Sequence, residues 1–323
     1  MKDNSGRQVD YLRISLTDRC NLRCRYCMPA SGIELMEHED ILTYEEIIRL
    51  VEVASQLGIK KIRLTGGEPL VRKGLVSLVK SIKSIEGIEE LALTSNGLLL
   101  EEQLDDLLDA GLDRVNLSLD TLNEQTFKRL TRHEGLDKIM RGLQLCLDKN
   151  VVTKVNTVAI KGINDKEIID FISLTYKWQV DVRFIELMPI GCGQNFQGLT
   201  RSEIMNEIRA SGLKYSLLDH KRGNGPSDYI QLEDSLGKVG FISPMSHKFC
   251  ETCNRIRITP DGFLKPCLFS GEGLDLKAIL RAGISNDDLK ELMASYIVSK
   301  PLSHHFDDDR IQVDQRWMNQ IGG

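Results

Sequence analysis

Residues 18–29 read Asp18-Arg19-Cys20-Asn21-Leu22-Arg23-Cys24-Arg25-Tyr26-Cys27-Met28-Pro29. Cys20, Cys24 and Cys27 stand at C-x3-C-x2-C spacing. Zinc sites and ferredoxin-type clusters ordinarily draw on four protein ligands, and this run supplies three. Either a fourth ligand comes from elsewhere in the chain, or one metal position is left for a substrate. What surrounds the run must decide between them.

The pattern on either side is regular. Residues 11–17 alternate Leu12, Ile14 and Leu16 with polar neighbours, which predicts a strand. After the cysteines, Thr43 and Glu46 form a capping box that opens a helix. Its apolar stripe is Ile47, Leu50, Val51, Ala54 and Leu57, and Gly58 stops it. Strands are predicted at 61–65, 91–94, 114–119, 151–160 and 182–187. Helices are predicted at 75–85, 99–108, from 124, at 136–147 and at 165–177, and a second capping box, Thr200 with Glu203, opens another. Six strand–helix alternations imply a parallel sheet with right-handed crossovers. The fold class is therefore α/β, an incomplete (β/α)6 barrel, with an open doubly wound sheet as the rival.

Beyond Lys214 the pattern changes. Short strands are predicted at 215–218, 229–232 and 238–242, separated by turns such as Arg222-Gly223-Asn224-Gly225. A hairpin pairs 257–259 with 262–265, helices follow at 276–281 and 287–297, and the end is a polar tail. This divides the chain into a partial barrel, 1–212, and an α+β extension, 213–323. No low-complexity linker separates them, so the second part is expected to pack on the first.

Composition narrows the class. The chain has 323 residues, 41% hydrophobic and 28% charged, with a net charge of −5. That balance suits a globular protein and argues against broad nucleic-acid binding. No apolar run approaches the roughly 18 residues that span a membrane, and residues 1–10 are polar with no cleavable signal. The expected location is the cytoplasm, where disulfides are rare. Of eight cysteines, six fall into two groups. Cys146 and Cys192 stand alone and read as small buried hydrophobes.

In parallel α/β folds, function gathers where the chain leaves the C-terminal ends of strands. Every unusual local sequence here lies at such an exit. The cysteine run follows the first strand, Gly66-Gly67-Glu68-Pro69 the second and Thr94-Ser95-Asn96-Gly97 the third. Ser118-Leu119-Asp120 closes the fourth, and Met188-Pro189 follows the sixth. On the fifth, Lys154 and Asn156 share a face. Each piece alone reads as a tight turn or a solvated charge; their common position predicts one site.

Cys20-x3-Cys24-x-Tyr26-Cys27 together with Gly66-Gly67-Glu68-Pro69 resembles the radical S-adenosylmethionine (SAM) superfamily. The resemblance implies that the three thiolates hold three irons of a [4Fe–4S] cluster. The fourth iron then takes the amino and carboxylate groups of SAM, whose reductive cleavage yields a 5′-deoxyadenosyl radical. It further implies that Tyr26, Gly67, Ser118 and Met188 lie against SAM.

Cys250, Cys253 and Cys267 form the second group, and His247 could complete a Cys3His zinc site. Beside them, Asn254-Arg255-Ile256-Arg257 puts two arginines on one strand face, which suits a second open cluster next to an anion site. Arg13 and Arg63 flank the barrel mouth. This combination resembles the GTP 3′,8-cyclases, the radical SAM branch that opens molybdenum cofactor (molybdopterin) biosynthesis. The likeness runs from Tyr11-Leu12-Arg13-Ile14-Ser15-Leu16-Thr17 to Ile321-Gly322-Gly323.

That resemblance implies two [4Fe–4S] clusters, SAM as cofactor and GTP as substrate. Hydrogen is taken from ribose C3′, which attacks guanine C8 to give (8S)-3′,8-cyclo-7,8-dihydroguanosine 5′-triphosphate. The open iron of the second cluster would bind guanine. Arg13, Arg63, Thr94, Lys154, Arg255, Ile256 and Arg257 match GTP-contacting positions, with Arg13 steering the late reduction. The Gly322-Gly323 tail would reach into the active site. A homodimer, a reductant such as flavodoxin or ferredoxin, and a downstream cyclic pyranopterin monophosphate synthase are implied as partners, and neither nucleic acid nor membrane. His304, His305 and residues 307–309 read as an exposed polar loop. The rivals are a peptide-modifying radical SAM enzyme with an auxiliary cluster, and a non-enzymatic zinc or iron–sulfur module.

Overall fold

The computed structural model describes residues 1–218, 225–271, 273–304 and 316–322. Gly323, His305, residues 307–309 and the turn at 222–224 lie outside them. Twelve strands form one sheet: β1 (Tyr11–Ser15), β2 (Lys61–Thr65), β3 (Glu90–Ser95), β4 (Arg114–Ser118), β5 (Val152–Val158), β6 (Asp181–Ile185), β7 (Tyr215–Leu217), β8 (Asp228–Leu232), β9 (Val239–Ile242), β10 (Arg255–Ile258), β11 (Phe263–Lys265) and β12 (Leu274–Asp275). The first six lie side by side in chain order, all parallel, as the alternation requires.

Helices cover one face: α1 (Tyr44–Gln56), α2 (Leu75–Lys83), α3 (Leu100–Asp109), α4 (Glu124–Thr131), α5 (Leu136–Asp148), α6 (Ile168–Lys177) and α7 (Arg201–Ala210). Both capping boxes form. Thr43 Oγ1 accepts from the Glu46 amide at 3.2 Å while Glu46 Oε2 accepts from the Thr43 amide at 2.7 Å, and Thr200 with Glu203 repeats the pattern at α7. The helix expected at 165–177 starts as a 3-10 turn, Asp165–Glu167. In the extension, α8 (Leu276–Arg281) and α9 (Asn286–Val298) match expectation within a residue at each end. The tail is not wholly irregular, since α10 (Met318–Ile321) adds a turn of helix.

The extension does more than pack on the barrel. β9 pairs parallel with β6 at one edge of the six strands, and β10 pairs parallel with β1 at the other. β8 and β7 continue antiparallel beyond β9, and β11 and β12 beyond β10. Residues 243–254 therefore carry the chain from one side of the six-stranded unit to the other, with Cys250 and Cys253 aboard.

Period-two alternation splits the sheet into two unlike faces. Leu12, Ile14, Ile62, Leu64, Leu91, Leu93, Val115 and Leu117 are wholly buried in the core under the helices. Their neighbours Arg13, Arg63, Thr65, Thr94, Ser118 and Asn156 face the other way. Side chains from β1 to β6, β9 and β10 line one cavity, so the sheet must curl around it, as an incomplete barrel does. A barrel interior is normally filled with apolar side chains. This one also carries the buried guanidinium groups of Arg63, Arg183, Arg255 and Arg257, an expensive arrangement unless a ligand completes it.

Candidate active site: two thiol trios on one cavity

The cavity has a volume of about 310 Å³, and all six clustered cysteines lie on its wall. The first trio sits in the loop leaving β1. Gly67 clasps that loop: its amide donates to Thr17 O at 2.6 Å, and a Cβ there would lie 2.4 Å from Arg19 O. No other residue fits so close to main chain. The Glu68 amide donates to Arg19 O at 2.8 Å. Its carboxylate accepts from the Asn96 amide at 2.7 Å, Ser95 Oγ at 2.9 Å and the Leu70 amide at 3.0 Å, tying the β2 and β3 exits together. Asn96 Nδ2 in turn donates to Asn21 Oδ1 at 2.7 Å and reaches Cys20 Sγ at 3.8 Å. Tyr26 Oη donates to Asp120 Oδ2 at 2.6 Å, and Asp120 Oδ1 accepts from the Val158 amide at 2.8 Å, which adds the β4 and β5 ends.

The charges here favour a cationic guest. Burial, then Glu68, pushes the Cys20 thiol up to about 11; burial, then Cys20, pushes Cys27 up to about 12. Burial, then Cys27, lifts Cys24 well above the ordinary thiol range. Burial also raises Glu68 to about 7 and Asp120 to about 6. Three crowded thiols become thiolates only when a metal group supplies positive charge.

The second trio is assembled from separate places. Cys250 and Cys253 lie on the connection from β9 to β10, and Cys267 follows β11. Burial raises the Cys253 thiol, but Arg255 and then Lys300 outweigh it and bring it down to about 6; Arg255 Nη2 points at Cys253 Sγ, 3.6 Å away. His247, the candidate fourth ligand of a Cys3His site, is exposed, with its Nδ1 3.0 Å from Ser246 Oγ. Among the described residues, no three His, Cys, Asp or Glu groups converge closely enough to hold a single ion.

Between the trios lie Arg63, Arg183, Arg255 and Arg257, all buried, and half-buried Arg13. None pairs with a carboxylate among the described residues, and Nε of Arg13, Arg63 and Arg183 has no hydrogen-bond partner. Burial, with Arg257 and Arg63 adding repulsion, holds Arg13 well below the usual guanidinium range. Burial and Arg255 push Arg257 down to about 10, and burial with Arg63 does the same to Arg183. Crowded cations without counter-ions call for a polyanion.

Most residues singled out from sequence meet here. Tyr26, Gly67, Ser118, Met188, Arg13, Arg63, Thr94, Arg255 and Arg257 all line the cavity. Lys154 lies deeper, its Nζ donating to Tyr229 Oη at 2.9 Å and facing Asp181 at 3.4 Å. The Ile256 side chain is in the core on the opposite strand face, so only its main chain can serve a ligand. Gly322 presses on β1 and β2: with φ of 83°, a Cβ would meet Ser15 Cβ and Thr65 Oγ1 at 2.7 Å, and its carbonyl accepts from Arg257 Nη1 at 2.9 Å.

Two minor expectations fail. His304 is buried rather than exposed, its Nε2 2.8 Å from Pro244 O, because its segment packs against the second trio's loop. Cys146 is buried in the core, whereas Cys192 is half-buried on the loop after β6. Sequence reasoning also passes over Asp120 as a brace, Arg183, Lys300 and Arg7. An arginine inside the apolar strand 182–187 is the one available signal.

Residues 14–175 match the family described as Radical SAM superfamily, and residues 180–306 that described as Molybdenum Cofactor Synthesis C. Over its whole length and that of the relative, the chain is 50% identical to "GTP 3′,8-cyclase" of Clostridium perfringens (strain SM101 / Type A). The identity to the protein of that name from Heliobacterium modesticaldum is 46%, again with both chains fully covered. The chain belongs to the GTP 3′,8-cyclase family. Its fold is shared by Streptococcus suis SuiB bound to S-adenosylmethionine, with a TM-score of 0.63 at 14% identity over 90% of this chain and 68% of that one. The cofactors of the family, [4Fe–4S] clusters and SAM, fit the donor sets present: two open thiol trios on one cavity.

Proposed function

We propose that this chain converts GTP, with SAM, to (8S)-3′,8-cyclo-7,8-dihydroguanosine 5′-triphosphate, the first step of molybdenum cofactor biosynthesis. The observation that carries the reading is the group of arginines that, among the described residues, have no carboxylate partner and line the same cavity as the two thiol trios. A triphosphate carries close to four negative charges, and the planar fork of arginine matches phosphate bidentately.

Cys20, Cys24 and Cys27 hold the first cluster, and Tyr26, Gly67, Ser118 and Met188 lie against SAM. Cys250, Cys253 and Cys267 hold the second. When bound, the reduced first cluster and SAM would supply the 5′-deoxyadenosyl radical needed to remove the ribose C3′ hydrogen, and the electron donor would supply the electron that, with a proton, completes the cyclised product. Arg13, Arg63, Thr94, Lys154, Arg255, Arg257 and the main chain of Ile256 orient GTP, and Arg13 serves the late reduction. Tyr229 and Asp181 fix the Lys154 ammonium. The Gly322-Gly323 tail serves the site, Gly322 lying against Ser15 and Thr65 with its carbonyl accepting from the cavity residue Arg257.

The finer parts of the reading rest on family likeness: a cytoplasmic homodimer, reduced by flavodoxin or ferredoxin, passing its product to a cyclic pyranopterin monophosphate synthase. No helix among the described residues is long and apolar enough to cross a membrane. The test is the anaerobically reconstituted protein with SAM, with and without GTP. Cyclised nucleotide should form together with 5′-deoxyadenosine. Equal 5′-deoxyadenosine without GTP, and no nucleotide product, would sink the substrate assignment.

A further inference from the structure

Lys300, just after α9, is 4% exposed and sits on the cavity wall with the second trio. Its Nζ donates to Arg255 O at 2.9 Å and to Pro266 O at 2.5 Å. Arg255 lies two residues after Cys253, and Pro266 immediately precedes Cys267. One ammonium thus joins the two segments that bring those thiols together. An ammonium has three N–H donors, and among the described residues the third has no protein acceptor and the charge no carboxylate partner.

Arg7 holds this arrangement from behind. Its Nη2 donates to Lys300 O at 3.0 Å and Pro301 O at 2.8 Å, and its Nη1 to Cys250 O at 2.9 Å and Leu302 O at 3.1 Å. Its Nε donates to Asp3 Oδ2 at 2.6 Å. All the guanidinium donors are used, one of them on a main-chain carbonyl of a trio residue. The two cations differ in one respect that matters: Asp3 neutralises Arg7, whereas among the described residues Lys300 is bonded only to neutral carbonyls. Arg255 is also near Cys253, but its charge is shared with any anion entering the cavity. Lys300 is the cation whose charge the trio keeps.

We propose that Lys300, held by Arg7, is a positioning residue of the second cluster: it joins the Cys253 and Cys267 segments and fixes a positive charge that raises the cluster's reduction potential. The inference rests on reading the second trio as a cluster site. Reduction adds negative charge, and a buried cation stabilises the reduced form more strongly than one in water.

The test uses the full-length, anaerobically reconstituted protein and its Lys300→Met and Lys300→Arg variants. Iron content is measured, and each cluster's potential is followed by electron paramagnetic resonance, the first cluster being identified as the one whose signal SAM perturbs. Lys300→Met should keep both clusters, move the second to a more negative potential and leave the first in place, with Lys300→Arg close to the parent. An unchanged second potential, or equal movement of both, overturns the assignment. If Lys300→Met loses the second cluster, retention in Lys300→Arg supports the need for charge at this position, and loss in both variants overturns it. If the parent protein itself assembles a single cluster, the second-site reading fails first and takes this inference with it.

Discussion

The two thiol trios face the same cavity but are made in opposite ways. The first comes from a single short loop, is clasped by main chain at Gly67, and has the carboxyl groups of Glu68 and Asp120 bearing on it. The second is gathered from two separate segments and held by cations, Arg7 from behind and Lys300 and Arg255 from the cavity side. The thiols differ accordingly: all three rise in the first trio, whereas in the second, burial raises Cys250 and the neighbouring cations bring Cys253 down to about 6. SAM carries a sulfonium cation and GTP a polyanion. The charge around each trio therefore suits the proposed placement of SAM at the first and GTP beside the second.

The largest expected effect separates the trios outright. Cys24→Ala should reduce 5′-deoxyadenosine formation to assay background, read by chromatography, and should halve the iron content from about eight to about four per chain. Persistent 5′-deoxyadenosine would mean that the first trio is not the SAM end.

Next comes a crossed pair of variants. Gly67→Ala forces a Cβ against Arg19 O, a strain of about 1–3 kcal/mol, and should deplete the first cluster while sparing the second. Arg7→Met leaves Asp3 without its ion-pair partner, a loss of about 3–5 kcal/mol for a buried pair, and should deplete the second first. Resonance spectra of the two variants check this. Depletion in the reverse pattern would break the contrast between a main-chain clasp and a cationic one.

Arg257→Ala probes the anionic end. Charged hydrogen bonds contribute about 1.5–3 kcal/mol each, so GTP affinity should weaken roughly 10- to 100-fold, with SAM affinity unchanged in equilibrium binding. Equal loss of both would place Arg257 between the two ligands rather than on GTP. The smallest effect lies away from both trios, at the α7 cap. Glu203 is held down to about 2 by its bond to Lys161, then by those to Thr200. Its stabilisation is present above the ordinary carboxyl pKa of about 4.3 and is lost as pH falls toward 2. Glu203→Gln should therefore cost about 0.5–1 kcal/mol at pH 7, allowing for solvent screening, and almost nothing near pH 2. Denaturant unfolding at the two pH values reads it, and iron content should not change.

Much of the first trio and its surroundings is legible in the sequence alone. Cys20, Cys24, Cys27 and Gly67 lie in local runs, and period-two alternation with helix caps places every such run at a strand exit. The second trio and the arginine group are less legible. Arg255 and Arg257 declare a shared face, but nothing local joins them to Arg13, Arg63 and Arg183. Lys300 sits in a Ser-Lys-Pro stretch without a motif, and Arg7 in a polar N-terminus that carries no pattern. The burial of His304 escapes sequence reasoning because it comes from a packing partner distant in the chain, Pro244.

By itself, the sequence determined the order of strands and helices, the caps, the cysteine spacings and the family. These follow from short-range physics: side-chain periodicity, turn stereochemistry and ligand spacing within one loop. Only the tertiary structure decided that β9 and β10 join opposite sides of the six-stranded unit, that the second trio thereby comes to face the first, and that the tail seats Gly322 on β1 and β2. Sheet pairing between strands far apart in the chain is chosen by the burial of whole faces, which no local stretch encodes. The first thiol trio was therefore written in one loop, while the chamber that opposes it to the second had to be folded.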